Sequence, residues 1–191
     1  MTVALLVMDV QNGIVARYAE DSGLLDRLEA AVEAARRASV PVIFVRIGFR
    51  DGFPEVAATN KSFSAIAATA GSGGSFGETA PETQIHSRVA PLPGEVVVVK
   101  KRVSAFAGSD LAEVLRGGKI GTLVLSGIAT SGVVLSTLRQ AADLDFRIIV
   151  LEDACGDSDP EVHRVLTEKV FPRQADVTTV AAWAAGLSTG S

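Results

Sequence analysis

Cysteine is nearly absent from this chain: its 191 residues include one, Cys155. That excludes an intramolecular disulfide and a cysteine-rich metal site, and it suits a reducing cytoplasm. Histidine is almost as scarce, and the two present, His86 and His163, show no ligand spacing and give no metal signal. There is no Lys/Arg run, and the formal net charge is −4, so nothing favours a nucleic-acid partner. No apolar stretch approaches the ~20 residues of a membrane span. The opening MTVALLVMD has no basic segment and meets Asp9 too early for a signal peptide. These absences describe a soluble, cytoplasmic protein for which no metal and no cofactor is expected, with a small molecule as its partner.

The hydrophobic fraction of 48% and the charged fraction of 21% are those of an ordinary globular domain, read as one unit over residues 1–191. Short apolar runs recur: VALLVMD (3–9), VPVIFVRI (40–47), EVVVVK (95–100), GTLVLSG (121–127) and FRIIVLED (146–153). Such runs predict strands buried on both faces of a mainly parallel sheet. Helical spacing marks 24–39, 110–118, 132–145 and 159–170, as in Leu25, Leu28, Val32 and Ala35. Asp159 and Pro160 supply a helix start, and Gly117 and Gly118 a helix end. ADVTTV (175–180) predicts an edge strand and AAWAAGL a closing helix. The alternation predicts an α/β fold of three layers, α/β/α, with five to six strands. Residues 48–94 break the rhythm and read as a long loop, either a cover for a substrate, a subunit contact or passive decoration.

Ligands of open parallel sheets bind beyond the carboxyl ends of the strands. Those ends carry Asp9 with Gln11 and Asn12, Lys100 with Lys101 and Arg102, Ser126 to Ser131, and Asp153 with Cys155. Asp9 follows an apolar run, and burial raises a carboxyl pKa while a nearby ammonium lowers it. The pair Asp9–Lys100 therefore suits proton transfer. It equally suits a plain salt bridge that ties a loop.

Four blocks resemble the isochorismatase-like (cysteine hydrolase) superfamily in its own order: MDVQNG (8–13), KKRVSAFAGSDL (100–111), SGIATSG (126–132) and LEDACGDSDPEVH (151–163). The resemblance implies a sheet of order 3-2-1-4-5-6, an acid at Asp9 and a supporting lysine at Lys100. It also implies oxyanion donors at the amides of Ala129 and Val133, and a cis peptide at Ile128–Ala129. It implies a homodimer or homotetramer, with Trp183 and Leu187 or the long loop at the contact. Gln11, Phe49, Phe106, Ala129, Thr130 and Ser131 are the residues expected to meet the substrate, the two rings being equally ordinary as packing.

The family's nucleophilic cysteine falls on Val133, whose side chain has no nucleophilic atom. Substitutes are weak: Cys155 reads as a buried inert thiol, Ser131 as a helix N-cap, His163 as surface or interface, and His86 as a loop residue within reach of the pocket. The first reading is a Cys-less isochorismatase-like hydrolase using Asp9 and Lys100 on a small carbonyl or enol-ether compound without a covalent intermediate. The alternatives are an inactive relative kept for ligand binding or assembly, and an amidohydrolase with a displaced nucleophile.

Overall fold

The computed structural model describes residues 2–17, 22–70 and 76–188. Its strands are β1 (Thr2–Met8), β2 (Val42–Ile47), β3 (Val96–Lys100), β4 (Ile120–Ile128), β5 (Arg147–Gly156) and β6 (Asp176–Thr178). Its helices are α1 (Asn12–Val15), α2 (Ser22–Arg37), α3 (Lys61–Ala70), α4 (Leu111–Gly117), α5 (Leu135–Asp143), α6 (Pro160–Val165) and α7 (Val180–Ser188). The strands form one parallel sheet in the order β3-β2-β1-β4-β5-β6. This is the order that the resemblance implies.

Both sheet faces are covered, which is why the strands read as unbroken apolar runs. Successive side chains of a strand point to opposite faces. Ala4, Leu6 and Met8 join a cluster with Leu111, Leu115, Leu138 and Ala141 from α4 and α5. Leu5 and Val7 join another with Leu28 and Val32 of α2 and Val180 and Trp183 of α7. Trp183, named above with a subunit contact, is 8% exposed and packs in the cluster that joins α7 to α2.

The stretch 48–94, expected as a long loop, holds regular structure. It contains α3, started by Asn60, whose Oδ1 accepts the Phe63 N–H at 3.1 Å. Phe49, Phe63 and Ile47 build a third apolar cluster, with the Phe49 ring 5.4 Å from Phe53 and 5.7 Å from Phe63 between centroids. The small residues of KSFSAIAATA hide this helix from a hydrophobic pattern, and two rings are enough to fix it. Positions 71–75 of the Ala/Gly/Ser-rich stretch lie outside the described residues.

The end of β4 sets the position of the site. Gly127 has φ +131, and a Cβ there would stand 2.0 Å from the Met8 carbonyl oxygen. Only glycine lets β4 run this close to the end of β1. The next residues of the two strands are Asp9 and Ile128, so the turn after β4 begins beside Asp9.

Candidate active site

Asp9 leaves β1 with φ 55, in the left-handed region that few residues other than glycine adopt, and its N–H donates to the Val45 carbonyl at 2.8 Å. Such backbone is held by its surroundings and gathers at working sites. The Asp9 side chain is 9% exposed, and the Lys100 side chain is 1% exposed. Lys100 ends β3, two strands away, and its aliphatic stem carries Nζ past β2 to within 2.8 Å of Asp9 Oδ2. The same ammonium donates to the Arg102 carbonyl at 3.0 Å. Asp9 Oδ1 is buried and has no hydrogen-bond partner. Burial raises the Asp9 pKa above its ordinary value, and Lys100 opposes the rise without cancelling it.

The three consecutive cations of KKR diverge. Lys100 points to Asp9, whereas Lys101 reaches the 48–94 segment through the Gly48 carbonyl at 2.6 Å and the Glu78 carboxylate. Arg102 donates to the Glu55 carbonyl at 2.6 Å and lies 5.6 Å from the Phe63 ring centroid. Gln11 belongs to the same bracing: its amide donates to the carbonyls of Ile47 at 2.9 Å and Thr83 at 2.7 Å, and accepts the Ile47 N–H at 2.9 Å. Its polar atoms are thus engaged by backbone. Lys101→Met is expected to lower global stability by only about 0.5–1 kcal/mol, as for a partly exposed pair. Its larger effect is faster limited proteolysis within 48–94; an unchanged cleavage rate would count against the bracing.

The turn after β4 starts with a cis peptide at Ile128–Ala129. Thr130–Val134 then form a single wide turn that runs into α5, with the N–H groups of Gly132 and Val134 both donating to the Ala129 carbonyl, at 3.1 and 3.3 Å. Ser131 does not cap it. The Ser131 N–H instead donates to Asp157 Oδ2 at 2.7 Å, so the cap arrives from the β5–α6 connection. Thr130 is fully buried, and its hydroxyl is hydrogen-bonded to His163 Nδ1 at 2.8 Å. His163, expected at the surface or an interface, is half-buried, because Asp159 caps α6 through the N–H groups of Glu161 and Val162 and starts that helix against the turn. His86 is also half-buried, and its Nδ1 accepts its neighbour Arg88's N–H at 3.4 Å.

A family model for the isochorismatase domain matches residues 3–182. The chain belongs to the isochorismatase family. It is 30% identical over 185 residues to the isochorismatase family protein YecD of Escherichia coli O157:H7, covering 94% of this chain and 93% of that one. It is 31% identical over 185 residues to the ureidoacrylate amidohydrolase RutB of Stutzerimonas stutzeri (strain A1501), covering 83% of this chain and 71% of RutB. Among solved structures, an isochorismatase family protein from Burkholderia thailandensis superposes with a TM-score of 0.83 at 28% identity, covering 98% of this chain and 96% of that one. The protein is therefore an isochorismatase-like hydrolase by family.

Within that family frame the remaining site residues are easily placed. Val133 is 2% exposed and shares an apolar cluster with Ala105 and Phe106. Phe106 packs on Phe146 at 6.0 Å between centroids, and Phe49 is fully buried in the cluster of the 48–94 segment. Burial pushes the Cys155 thiol up to about 12, so it is not a thiolate near neutrality. Ser126 donates its hydroxyl to the Leu6 carbonyl at 2.9 Å. Asp157 escaped the sequence reading, and His163 was read there as surface or interface and not as a partner of the turn. Their signal was the Asp159–Pro160 helix start, which sets His163 one turn into α6 at the strand ends.

Proposed function

We propose that this hydrolase acts on a small enol-ether or carbonyl compound by non-covalent acid/base chemistry, with Asp9 moving the proton. The observation that carries the reading is the buried Asp9–Lys100 pair with one carboxylate oxygen left unpartnered. It stands beside a turn whose nucleophile position holds Val133. A carboxyl with a raised pKa keeps its proton at higher pH than an exposed one and can act as a general acid.

On an enol ether, the Asp9 proton passes to the terminal carbon of the double bond, whose π electrons form the new C–H bond. The ether oxygen shares the positive charge left on the neighbouring carbon. Water adds there and returns a proton to the Asp9 carboxylate, which Lys100 has meanwhile neutralised. The hemiketal then breaks into a carbonyl compound and an alcohol. Similarity to an amidohydrolase favours a second substrate class. For an amide, ionised Asp9 takes a proton from water, the oxygen attacks the carbonyl carbon, and the oxyanion gathers on the amides of Ala129 and Val133; its collapse breaks the C–N bond as Asp9 returns the proton to the leaving nitrogen, giving a carboxylic acid and an amine.

Val133→Cys tests whether acid, lysine and turn form one site. The change is small in volume, so the fold should survive it. The introduced thiol is expected to titrate below the ordinary ~8.5 and to alkylate quickly, read by thiolate absorbance and intact mass. Cys155 adds no background, since its own thiol is pushed up to about 12. An introduced thiol as inert as Cys155 would overturn the assignment.

A further inference from the structure

A hydroxyl bonded to an imidazole invites a catalytic reading, as a nucleophile with its base. Burial argues against it, because Thr130 is 0% exposed and its Oγ1 already meets His163 Nδ1 at 2.8 Å. The position of Thr130 points elsewhere. Thr130 and Ser131 lie between Ala129 and Val133, the two residues whose amides form the proposed oxyanion site. The turn has no side-chain cap of its own, and neither does α5 at Val134. Two side-chain tethers reach it from the segment after β5: the Asp157 carboxylate, in the β5–α6 connection, on the Ser131 N–H at 2.7 Å, and the His163 ring, in α6, on the Thr130 hydroxyl.

We propose that His163, through Thr130, and Asp157, through Ser131, are positioning residues that fix the direction of the Ala129 and Val133 amides. The proposal rests on the reading of this turn as the oxyanion site. Its physical basis is preorganisation. Donors stabilise developing charge only when held in place before it develops, and a shift of about 1 Å can lower a rate ~10²-fold. A wide turn without a local cap has no internal means of resisting such a shift. Two tethers on adjacent residues, one on a side chain and one on the backbone, remove both the rotation and the translation of the segment.

His163 and Asp157 also line a cavity of about 520 Å³, together with Arg17, Arg27, Glu152 and Cys155. The cavity gives free imidazole a path to the place of a deleted ring. Removing the ring therefore makes a reversible experiment possible.

The test uses Val133→Cys as a reporter that needs no substrate: its alkylation rate by iodoacetamide at one fixed pH reads the environment of the turn. In that background, Thr130→Val and His163→Ala are each expected to slow alkylation by about 10- to 100-fold. Thr130→Ser, which keeps the hydroxyl, should stay within about twofold, and Asp157→Asn should fall between. Added imidazole should restore the rate of His163→Ala and leave that of Thr130→Val low, a pattern that a general loss of packing does not produce. A reactive Val133→Cys thiol whose rate ignores these substitutions, or a His163→Ala protein that imidazole leaves slow, overturns the positioning role alone. An inert thiol in the single variant overturns the oxyanion-site reading and this proposal with it. Should Thr130→Val fail to fold, His163→Ala with and without imidazole decides the matter by itself.

Discussion

Asp9→Asn is expected to lower turnover by about 10²- to 10⁴-fold, the range by which a positioned general acid or base accelerates a reaction. The change keeps the shape of the side chain and an oxygen for Lys100, and it removes the transferable proton. The measurement is kcat on a compound that the unaltered protein converts, found by screening small enol ethers and carbonyl compounds. Unchanged turnover would sink the role assigned to Asp9. The pH dependence gives a second reading. On an enol ether the protonated carboxyl is the working form, and burial raises the Asp9 pKa above its ordinary 3.8. Activity is therefore held below the raised pKa and lost as pH rises through it. An amide substrate reverses the sign, since there the carboxylate is the base.

Lys100→Met is expected to destabilise the fold by about 3–5 kcal/mol near neutral pH, because it leaves a buried carboxylate without its partner. The loss depends on pH in a direction that can be worked out. With the ammonium gone, desolvation of Asp9 is opposed only by the weaker pull of the Ile47 backbone N–H, so its folded pKa climbs further. A raised folded pKa favours the protonated native state, and that stability is fully present below the unfolded value of 3.8 and lost as pH rises through the folded pKa. The difference between Lys100→Met and the unaltered protein should thus be small near pH ~4 and large near pH ~8. Urea unfolding at the two pH values measures it; an equal difference at both would mean that Asp9 is not the group left unpaired. The double change Asp9→Asn with Lys100→Met removes both charges and should recover part of the loss, since well-packed neutral groups often replace a buried pair at little cost.

Several features were legible because their signal is local. A strand covered on both faces must be apolar at every position, and β1 to β5 stand where such runs occur. Asp159 and Pro160 mark the start of α6 without any tertiary information. The sheet order came from the resemblance of four separated blocks, since no local pattern encodes which strand neighbours which. The helix Lys61–Ala70 was missed because its residues are small and its fixing contacts, Phe49 on Phe63, join distant segments. Ser131 was misjudged as a cap for a related reason: the cap on its N–H is Asp157, which reaches the turn only after β5 has paired with β4.

By itself the sequence determined that position 133, in the turn after β4, carries no nucleophile, since a valine has no such atom in any conformation. It also determined that glycine stands at 127 and that an acid and a lysine end two apolar runs. The tertiary structure alone decided that Asp9 and Lys100 meet across β2, that one carboxylate oxygen is left buried and unpartnered, and that His163 and Asp157 grip the turn. The reason is physical. Composition fixes which atoms exist, and short-range periodicity fixes which backbone they adopt. Desolvation and Coulomb interaction depend on distances of a few ångströms between segments that only the packed sheet brings together.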